Sequence, residues 1–265
     1  MIIFSDLDRS VIYSNKFLDT DIEYESIEIY NGKEISYISI DTIKHIKKIQ
    51  EDGLFIPTTT RTVEQFQRIN FTSKNMEFDW AITSNGGNIL KHNKVFEDWR
   101  NEVEKILQKV FPIEKMVSDF EKYIKLPGIT NFKIAENLFF YIVVDWNYFE
   151  VSMIEEYTSL LGSKGWIFYI SGRKIYFLPK DISKENAISY LANYIGVKKF
   201  SVIGDSTMDL GMLNIGATSY VLKHGDLLNY DIDKRIIVSN FEGMMGSEEV
   251  LSNIIEKFNI EKAHA

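Results

Sequence analysis

Cysteine is absent from this chain, and only 4 of its 265 residues are proline. Without thiols the protein can form no disulfide, no zinc–thiolate centre and no cysteine nucleophile. No apolar run approaches the length of a membrane span. The N-terminus also lacks the basic region and long apolar stretch of a secretory signal. We therefore expect a cytoplasmic protein that has no membrane as a partner.

Positively charged residues are fewer than negatively charged ones. The sequence has 30 lysines and arginines against 38 aspartates and glutamates, which gives a formal net charge of -8. A surface of this sign disfavours nucleic acid as a partner, although it is compatible with a small basic pocket. Hydrophobic residues make up 45% of the chain and charged residues 26%, as in soluble globular proteins. We expect a monomer or a homodimer.

What the sequence does contain is an alternation of strand-like and helix-like segments at both ends. Short apolar runs at 2–4, 54–56, 80–82 and 200–203 are typical of buried strands. Helix N-termini are predicted from the capping residues that precede them, which are Asp41, Thr62 with Gln65, and Ser183. This alternation predicts an α/β fold with a parallel sheet covered on both faces.

The middle of the chain has a different pattern. Residues 86–178 contain two predicted hairpins, a strongly apolar strand and several helical segments, including one from Phe149 to Leu161. The α/β pattern begins before this stretch and finishes after it. We interpret 86–178 as an α+β domain inserted into an α/β domain that is formed by residues 1–85 and 179–265.

Two acids follow the first predicted strand. Asp6 and Asp8 come directly after the apolar run, and both residues are poor strand formers. Ligands bind at the carboxyl ends of the strands in open parallel sheets. Two neighbouring carboxylates repel unless a cation or a shared proton compensates them, and Mg2+ prefers such oxygen ligands. An ordinary Asp-rich turn is the alternative for this segment alone.

Three later segments carry related signals. Thr59 lies at a strand end ahead of a helix N-terminus, where a hydroxyl and free backbone N–H groups can bind an anion, or where it serves only the turn. Lys184 opens a helix, where its charge opposes the helix dipole and indicates an anionic partner, unless it is a solvated surface lysine. Asp205 and Asp209 follow another strand and can complete a metal site or cap a helix.

In this order the motifs resemble the haloacid dehalogenase (HAD) superfamily of phosphohydrolases. They are Asp-x-Asp-x-Ser from Asp6, the strand-end Thr59, the helix-start Lys184, and Gly-Asp-x-x-x-Asp ending at Asp209. The place of the insertion and Asn85-Gly86-Gly87 are similar to the C2-capped subgroup of Cof-type sugar phosphatases and sucrose-phosphate phosphatase. The resemblance implies a Rossmann-like three-layer core with an α+β cap.

The resemblance also implies roles for individual residues. Asp6 is then the nucleophile that forms an aspartyl-phosphate, and Asp8 the general acid and base. Thr59 binds the transferring phosphoryl group and Lys184 neutralises its charge. Mg2+ is the implied cofactor, and its implied ligands are Asp6, the Asp8 backbone carbonyl, Asp205 and Asp209, the last of which can instead hold Lys184. The implied substrate-binding residues are Arg61, Asn85 and Gly86.

The chain departs from the subgroup pattern at three positions. Arg9 replaces the commoner Gly after Asp8, Thr60 replaces the Gly of Thr-Gly-Arg, and Met208 replaces an Asn. None removes a charge that the mechanism requires. The sequence therefore predicts a Mg2+-dependent phosphomonoester hydrolase that acts on a small phosphorylated metabolite such as a sugar phosphate. The alternatives are a phosphotransferase or phosphomutase, and a non-catalytic sensor of a phosphorylated ligand.

Overall fold

A computed structural model describes residues 1–18 and 21–263. The strands are β1 (Ile2–Ser5), β2 (Tyr24–Tyr30), β3 (Lys33–Ser39), β4 (Leu54–Pro57), β5 (Trp80–Thr83), β6 (Asn88–Lys91), β7 (Lys94–Val95), β8 (Ile129–Ala135), β9 (Phe139–Val144), β10 (Trp166–Ser171), β11 (Lys174–Pro179), β12 (Ser201–Gly204), β13 (Thr218–Val221) and β14 (Ile237–Val238). The α-helices are α1 (Ile40–Asp52), α2 (Val63–Gln67), α3 (Glu97–Leu107), α4 (Ile113–Phe120), α5 (Glu155–Leu160), α6 (Lys184–Tyr194), α7 (Leu210–Ile215) and α8 (Gly243–Ala263). None of these helices combines the length and the apolarity that crossing a membrane requires.

A five-stranded parallel sheet in the order β14-β13-β12-β1-β4 forms the centre of the fold. Its alternating side chains enter two separate hydrophobic cores. Phe4 and Val202 lie in one core, whereas Ile3 and Ile203 lie in the other. Continuous apolar runs are needed because both faces of these strands are covered. The predicted α/β class with a parallel central sheet is confirmed.

The predicted third strand joins this sheet only weakly. β5 forms one isolated parallel bridge beyond β4, between Thr58 and Ile82, and otherwise pairs antiparallel with β6. The β5–β6 ladder crosses residue 86, so backbone hydrogen bonds connect the two segments that the sequence analysis assigns to different domains. The domain limits stay a prediction.

The middle segment contains a four-stranded antiparallel sheet in the order β10-β11-β9-β8. One face packs against α4 and α5 through a core that includes Phe120, Phe140, Tyr157 and Phe177. The opposite face is turned towards the carboxyl ends of β1 and β4. We call this segment, from Ile129 to Pro179 with α4, the module.

Several local predictions are confirmed and others are wrong. Thr62 and Gln65 form the capping box of α2, and Ser183 caps α6. The expected cap at Asp41 is wrong, because Ser39 Oγ accepts the hydrogen bond from the Thr42 N–H at 3.2 Å and α1 begins at Ile40.

The helix expected from Phe149 to Leu161 is also wrong in extent. A 3-10 turn at Val151–Ile154 precedes a short α5. The β2–β3 hairpin was not predicted from the sequence. A register shift on both sides of Glu28 breaks the alternation of β2, so that strand lacks a regular period of two.

Candidate active site

The loop after β1 carries the first two acids in different directions. The Asp6 N–H donates to the Ile203 carbonyl at 2.9 Å, which continues the β1–β12 pairing by one residue and buries Asp6. The chain then turns tightly around Leu7, whose carbonyl accepts hydrogen bonds from the N–H groups of the residues at 10, 11 and 12. The Asp8 side chain points away from this turn and is 49% exposed.

Lys184 joins two of the predicted site acids directly. Its Nζ donates to Asp6 Oδ1 at 2.6 Å and to Asp209 Oδ1 at 2.7 Å, although 178 residues separate Lys184 from Asp6. Burial favours the neutral amine, but Asp209 and Asp6 outweigh this effect and raise the pKa of Lys184 above its ordinary value. The side chain is only 1% exposed. It is therefore a buried ammonium held between two carboxylates.

The start of α6 allows this contact because Gly86 lies against it. Gly86 has a φ of 92°, and a Cβ there would lie 2.1 Å from the Ser183 carbonyl oxygen. Only glycine fits both the left-handed conformation and the close approach. Gly86 thus lets the loop after β5 pack on the residue that precedes Lys184.

Asp209 uses both of its carboxylate oxygens for protein contacts. Oδ1 accepts from Lys184, while Oδ2 accepts from the Asp205 N–H at 3.0 Å, the Ser206 N–H at 2.9 Å and the Ser206 hydroxyl at 3.0 Å. Gly204 leaves room for this side chain, since a Cβ there would lie 2.6 Å from the Asp209 Cβ. Asp209 therefore fixes both Lys184 and the loop that carries Asp205.

Three buried carboxylates gather at this point. Asp6, Asp205 and Asp209 each offer an oxygen, and these atoms lie within 4.8 Å of one another. Burial, opposed by Lys184 and assisted by Asp209, raises the pKa of Asp6 to about 7. Burial and the charges of Asp6 and Asp209 raise the pKa of Asp205 well above its usual value. A hard divalent cation such as Mg2+ suits this oxygen-only set and would offset the repulsion.

Arg9 adds a cation beside the carboxylates. Its Nε lies 3.5 Å from Asp205 Oδ2, and its NH2 group donates to the His224 carbonyl at 2.8 Å. The backbone of Arg9 has a φ of 66°. This left-handed conformation costs a non-glycine residue about 1 kcal/mol, which explains why glycine is the commoner residue at this position of the motif.

Arg61 holds Asp8 in a two-pronged ion pair. Its Nε and NH2 groups each donate to one Asp8 carboxylate oxygen at 2.7 Å. Partial desolvation raises the pKa of Asp8, but the Arg61 guanidinium outweighs it and lowers the pKa below the ordinary value. In this arrangement Asp8 is a carboxylate.

Glu28 stands behind this ion pair and was missed by sequence reasoning. It is fully buried, and it accepts hydrogen bonds from Arg61 NH1 at 2.8 Å, from Arg68 Nε at 2.8 Å and from the Ser36 hydroxyl at 2.5 Å. Burial raises the pKa of Glu28, yet these donors, led by Arg61, bring it below the ordinary value. The β2–β3 hairpin thus positions Arg61.

Thr59 and Asn85 connect the ends of β4 and β5. The Thr59 N–H donates to the Ile82 carbonyl at 2.8 Å, its hydroxyl accepts from the Arg61 N–H at 3.2 Å, and its carbonyl accepts from the Asn85 N–H at 3.0 Å. Asn85 Nδ2 donates to the Ile182 carbonyl at 3.3 Å. Among the described residues the buried Asn85 Oδ1 has no hydrogen-bond partner.

The nine sequence-predicted site residues therefore fall into three groups. Asp6, Lys184, Asp205 and Asp209 form the buried cluster. Asp8 and Arg61 form the ion pair at its open side, which borders a cleft of ≈ 460 Å³ between the loops and the module. The remaining three lie in loops next to the cluster. Thr59 and Asn85 are joined by a backbone hydrogen bond, and Gly86 packs against the backbone of Ser183.

Comparison with known proteins agrees with the resemblance noted in the sequence. The family model of sucrose-6F-phosphate phosphohydrolase matches residues 1–226. The sucrose-phosphatase from Synechocystis sp. PCC6803, solved with sucrose and phosphate, has a TM-score of 0.70 at 14% identity and covers 97% of both chains. No curated protein sequence matches the chain significantly.

Two further solved structures share the fold. A trehalose-6-phosphate phosphatase related protein has a TM-score of 0.61 at 13% identity, covering 99% of this chain and 100% of its own. A haloacid dehalogenase-like hydrolase from B. subtilis has a TM-score of 0.61 at 12% identity, covering 96% of this chain and 99% of its own. The predicted HAD resemblance is confirmed: the chain belongs to the sucrose-6F-phosphate phosphohydrolase family and is a HAD-type phosphatase.

Proposed function

We propose that this phosphatase hydrolyses a phosphomonoester of a small sugar-like metabolite through a phosphoryl group carried on Asp6, with Mg2+ as cofactor. The observation that carries the proposal is the Lys184 ammonium between Asp6 and Asp209, with Asp205 at ligand distance. An anionic nucleophile can approach an anionic phosphate only where positive charge lies between them.

In the first half-reaction an Asp6 carboxylate oxygen forms a bond to phosphorus and the bond from phosphorus to the sugar oxygen breaks. Lys184 donates a hydrogen bond to Asp6 Oδ1. No described side chain donates one to Asp6 Oδ2, and we propose Oδ2 as the attacking atom. The departing sugar oxygen takes a proton from the Asp8 carboxyl. Asp8 takes up this proton from solvent when the substrate binds, because the charge of the phosphate dianion raises the pKa of Asp8 against the effect of Arg61.

In the second half-reaction Asp8 acts as the base. It takes a proton from water, the resulting hydroxide bonds to phosphorus, and the bond between phosphorus and the Asp6 oxygen breaks to release inorganic phosphate. The ion pair with Arg61 supports this step, because it keeps Asp8 in the carboxylate form. Arg61 thus acts through Asp8, and Glu28 acts through Arg61.

The residues that would hold Mg2+ are Asp6, the backbone carbonyl of Asp8, and Asp205. When bound, the cation would neutralise charge on the transferring phosphoryl group. Asp209 was also predicted as a ligand, but both its oxygens accept hydrogen bonds from protein donors, and we propose that it positions Lys184 and Asp205. The Thr59 hydroxyl and the amide of Asn85 would bind phosphoryl oxygens.

The test is Mg2+-dependent release of phosphate from a panel of sugar phosphates. We expect turnover by the natural protein and loss of turnover in Asp6→Asn. Asp231→Asn is the matched control, because Asp231 is an exposed acid in a loop outside the site. Undiminished release by Asp6→Asn, or equal loss in both variants, would contradict the proposal.

A further inference from the structure

The cleft beside Asp8 carries a local excess of positive charge. Its walls contain Arg9, Lys16, Arg61, Arg68, Arg173 and Lys174, and among the described residues that line it Asp8 is the one carboxylate. The whole chain, in contrast, has a formal net charge of -8. The basic character of this cleft is therefore a property of the site and not of the protein as a whole.

Three of these cations are neutralised by the protein itself. Arg61 and Arg68 both donate to the buried Glu28, and Arg9 lies 3.5 Å from Asp205. Their charges are matched before a ligand arrives. These three ion pairs hold the active-site loops in place. Because the charges are already compensated, these three side chains contribute little to binding an anionic substrate.

Of the other three, Lys16 has its Nζ 4.5 Å from the centre of the Phe17 ring, whereas Arg173 and Lys174 belong to the module. Both are exposed at the β10–β11 hairpin, and neither forms an ion pair with any carboxylate in the part of the chain that the structure describes. Lys174 Nζ lies instead 5.2 Å from the ring centre of Tyr141 and 5.8 Å from that of Tyr176. Lys174 and Asp8 both line the cleft, and the charge of Lys174 contributes to lowering the pKa of Asp8.

The strand register explains why Lys174 and the two tyrosines share one face, which Arg173 joins from the hairpin turn. Side chains alternate along a strand, so Lys174 and Tyr176 point to the cleft while Ile175 and Phe177 enter the core of the module. Tyr141 lies opposite Tyr176 on β9, with 5.4 Å between the ring centres. The module therefore lines the leaving-group side of the site with two tyrosine rings that are largely buried, and it adds two exposed cations that form no ion pair among the described residues.

We propose that the substrate carries a second anionic group on the part that leaves, a carboxylate or a second phosphate, and that Arg173 and Lys174 bind it while the two tyrosine rings pack on the sugar. This inference rests on the proposed function, whose reaction places the leaving group in the cleft. The transferring phosphoryl group is already matched by Lys184 and the metal. A neutral sugar would leave both module cations without a counter-charge.

Three probes test the inference: glucose 6-phosphate, 6-phosphogluconate and glucose 1,6-bisphosphate. Turnover is compared as kcat/KM in the natural protein, and binding as Kd in Asp6→Asn by calorimetry with Mg2+ present. We expect at least one of the two probes with a second anion to be preferred by about tenfold or more, the effect of one charge-assisted hydrogen bond. The carboxylate and phosphate probes distinguish the two anions from each other.

The double variant Arg173→Gln with Lys174→Gln tests the residues. We expect it to reduce the preference ratio to near one. The matched control Lys115→Gln, on the exposed side of α4 across the module from the cleft, should keep the ratio. Equal kcat/KM for all three probes, or an unchanged ratio in the double variant, would overturn the inference and leave the proposed function standing. A binding preference without any turnover would support the inference and refute the proposed function.

Discussion

The buried cluster and the cleft face of the module differ in whether the protein itself supplies counter-charges for their ionised groups. In the cluster, Lys184 contacts two carboxylates, and Asp209 satisfies four donors. On the module, Arg173 and Lys174 form no ion pair among the described residues. In the proposed mechanism the cluster, whose partners all come from the fold, serves the reaction, whereas the two module cations, which lack ion pairs, are available to the ligand. Under these two proposals, the cluster carries out the chemistry and the cleft face of the module selects the substrate.

The strongest way to break this comparison is to remove Lys184. Lys184→Met would leave three acids crowded without their central cation, and we expect a loss of about 3–5 kcal/mol in the free energy of unfolding. We also expect phosphate release to fall about a thousandfold. Urea unfolding in a chelator and steady-state kinetics measure these effects. Lys180→Met, an exposed neighbour on the same segment, is the control, and equal stability of the two variants would contradict the account.

Glu28 extends the buried network to the β2–β3 hairpin. Glu28→Gln keeps the shape but weakens the acceptor for Arg61, Arg68 and Ser36. We expect a destabilisation of about 1–3 kcal/mol, since buried donors lose a charged partner. Glu25→Gln on the same strand removes only a partly exposed ion pair and should cost less than about 1 kcal/mol. Similar losses in the two variants would show that Glu28 is not a special anchor.

Because the pKa of Asp6 is raised, we expect the stability of the cluster and its affinity for Mg2+ to depend on pH. Without metal, folded Asp6 keeps its proton up to about pH 7, whereas the unfolded chain releases it near the ordinary value. Protonation therefore favours the folded state at low pH, and this contribution disappears as the pH rises through about 7. Mg2+ needs the carboxylate form. We expect the Mg2+-induced rise in Tm to be larger at pH 8 than at pH 6, as measured by calorimetry.

A rise in Tm that does not change between the two pH values would contradict this linkage. Asp6→Asn is the control, because an amide in place of the carboxylate removes the titrating group. In that variant the remaining Mg2+ effect should depend less on pH.

Arg9 is where we expect the smallest effect. Its guanidinium lies beside Asp205 and competes with a bound cation for that carboxylate. Arg9→Gln should raise the affinity for Mg2+ about fivefold, since a nearby positive charge is removed. Arg9→Gly removes the same charge and also the cost of the positive φ. Both variants should gain the same affinity for Mg2+, and only Arg9→Gly should become more stable. A lower affinity for Mg2+ in either variant would contradict this expectation and show that Arg9 supports the site.

The cluster could be predicted because each member carries a local signal. Asp6 and Asp205 follow apolar strands, and the ends of parallel strands meet at one edge of a sheet. Lys184 follows a capping serine, and its place beside the acids was predicted from the resemblance to the HAD superfamily. The position of Asp8 was not predictable in the same way, because its partner Arg61 is set by Glu28. A regular strand would bury Ile29 and expose Glu28, but the bulge in β2 buries Glu28 and leaves Ile29 61% exposed.

The cleft residues illustrate a second limit. Arg173 and Lys174 belong to an ordinary hairpin turn, and sequence gives no reason to distinguish them from solvated surface charges. The role that we propose for them arises only because the module sheet faces the ends of β1 and β4. That packing depends on contacts between segments far apart in the chain, which local patterns do not encode.

The most direct test of the central claim is to detect a phosphoryl group that is covalently bound to Asp6. The natural protein, incubated with Mg2+ and a substrate sugar phosphate and quenched in acid, should carry the mass of one phosphoryl group on the peptide that contains Asp6. Asp6→Asn should carry none. Phosphate release with no labelled peptide, or with the label on another residue, would contradict the account of Asp6 as the nucleophile held by Lys184.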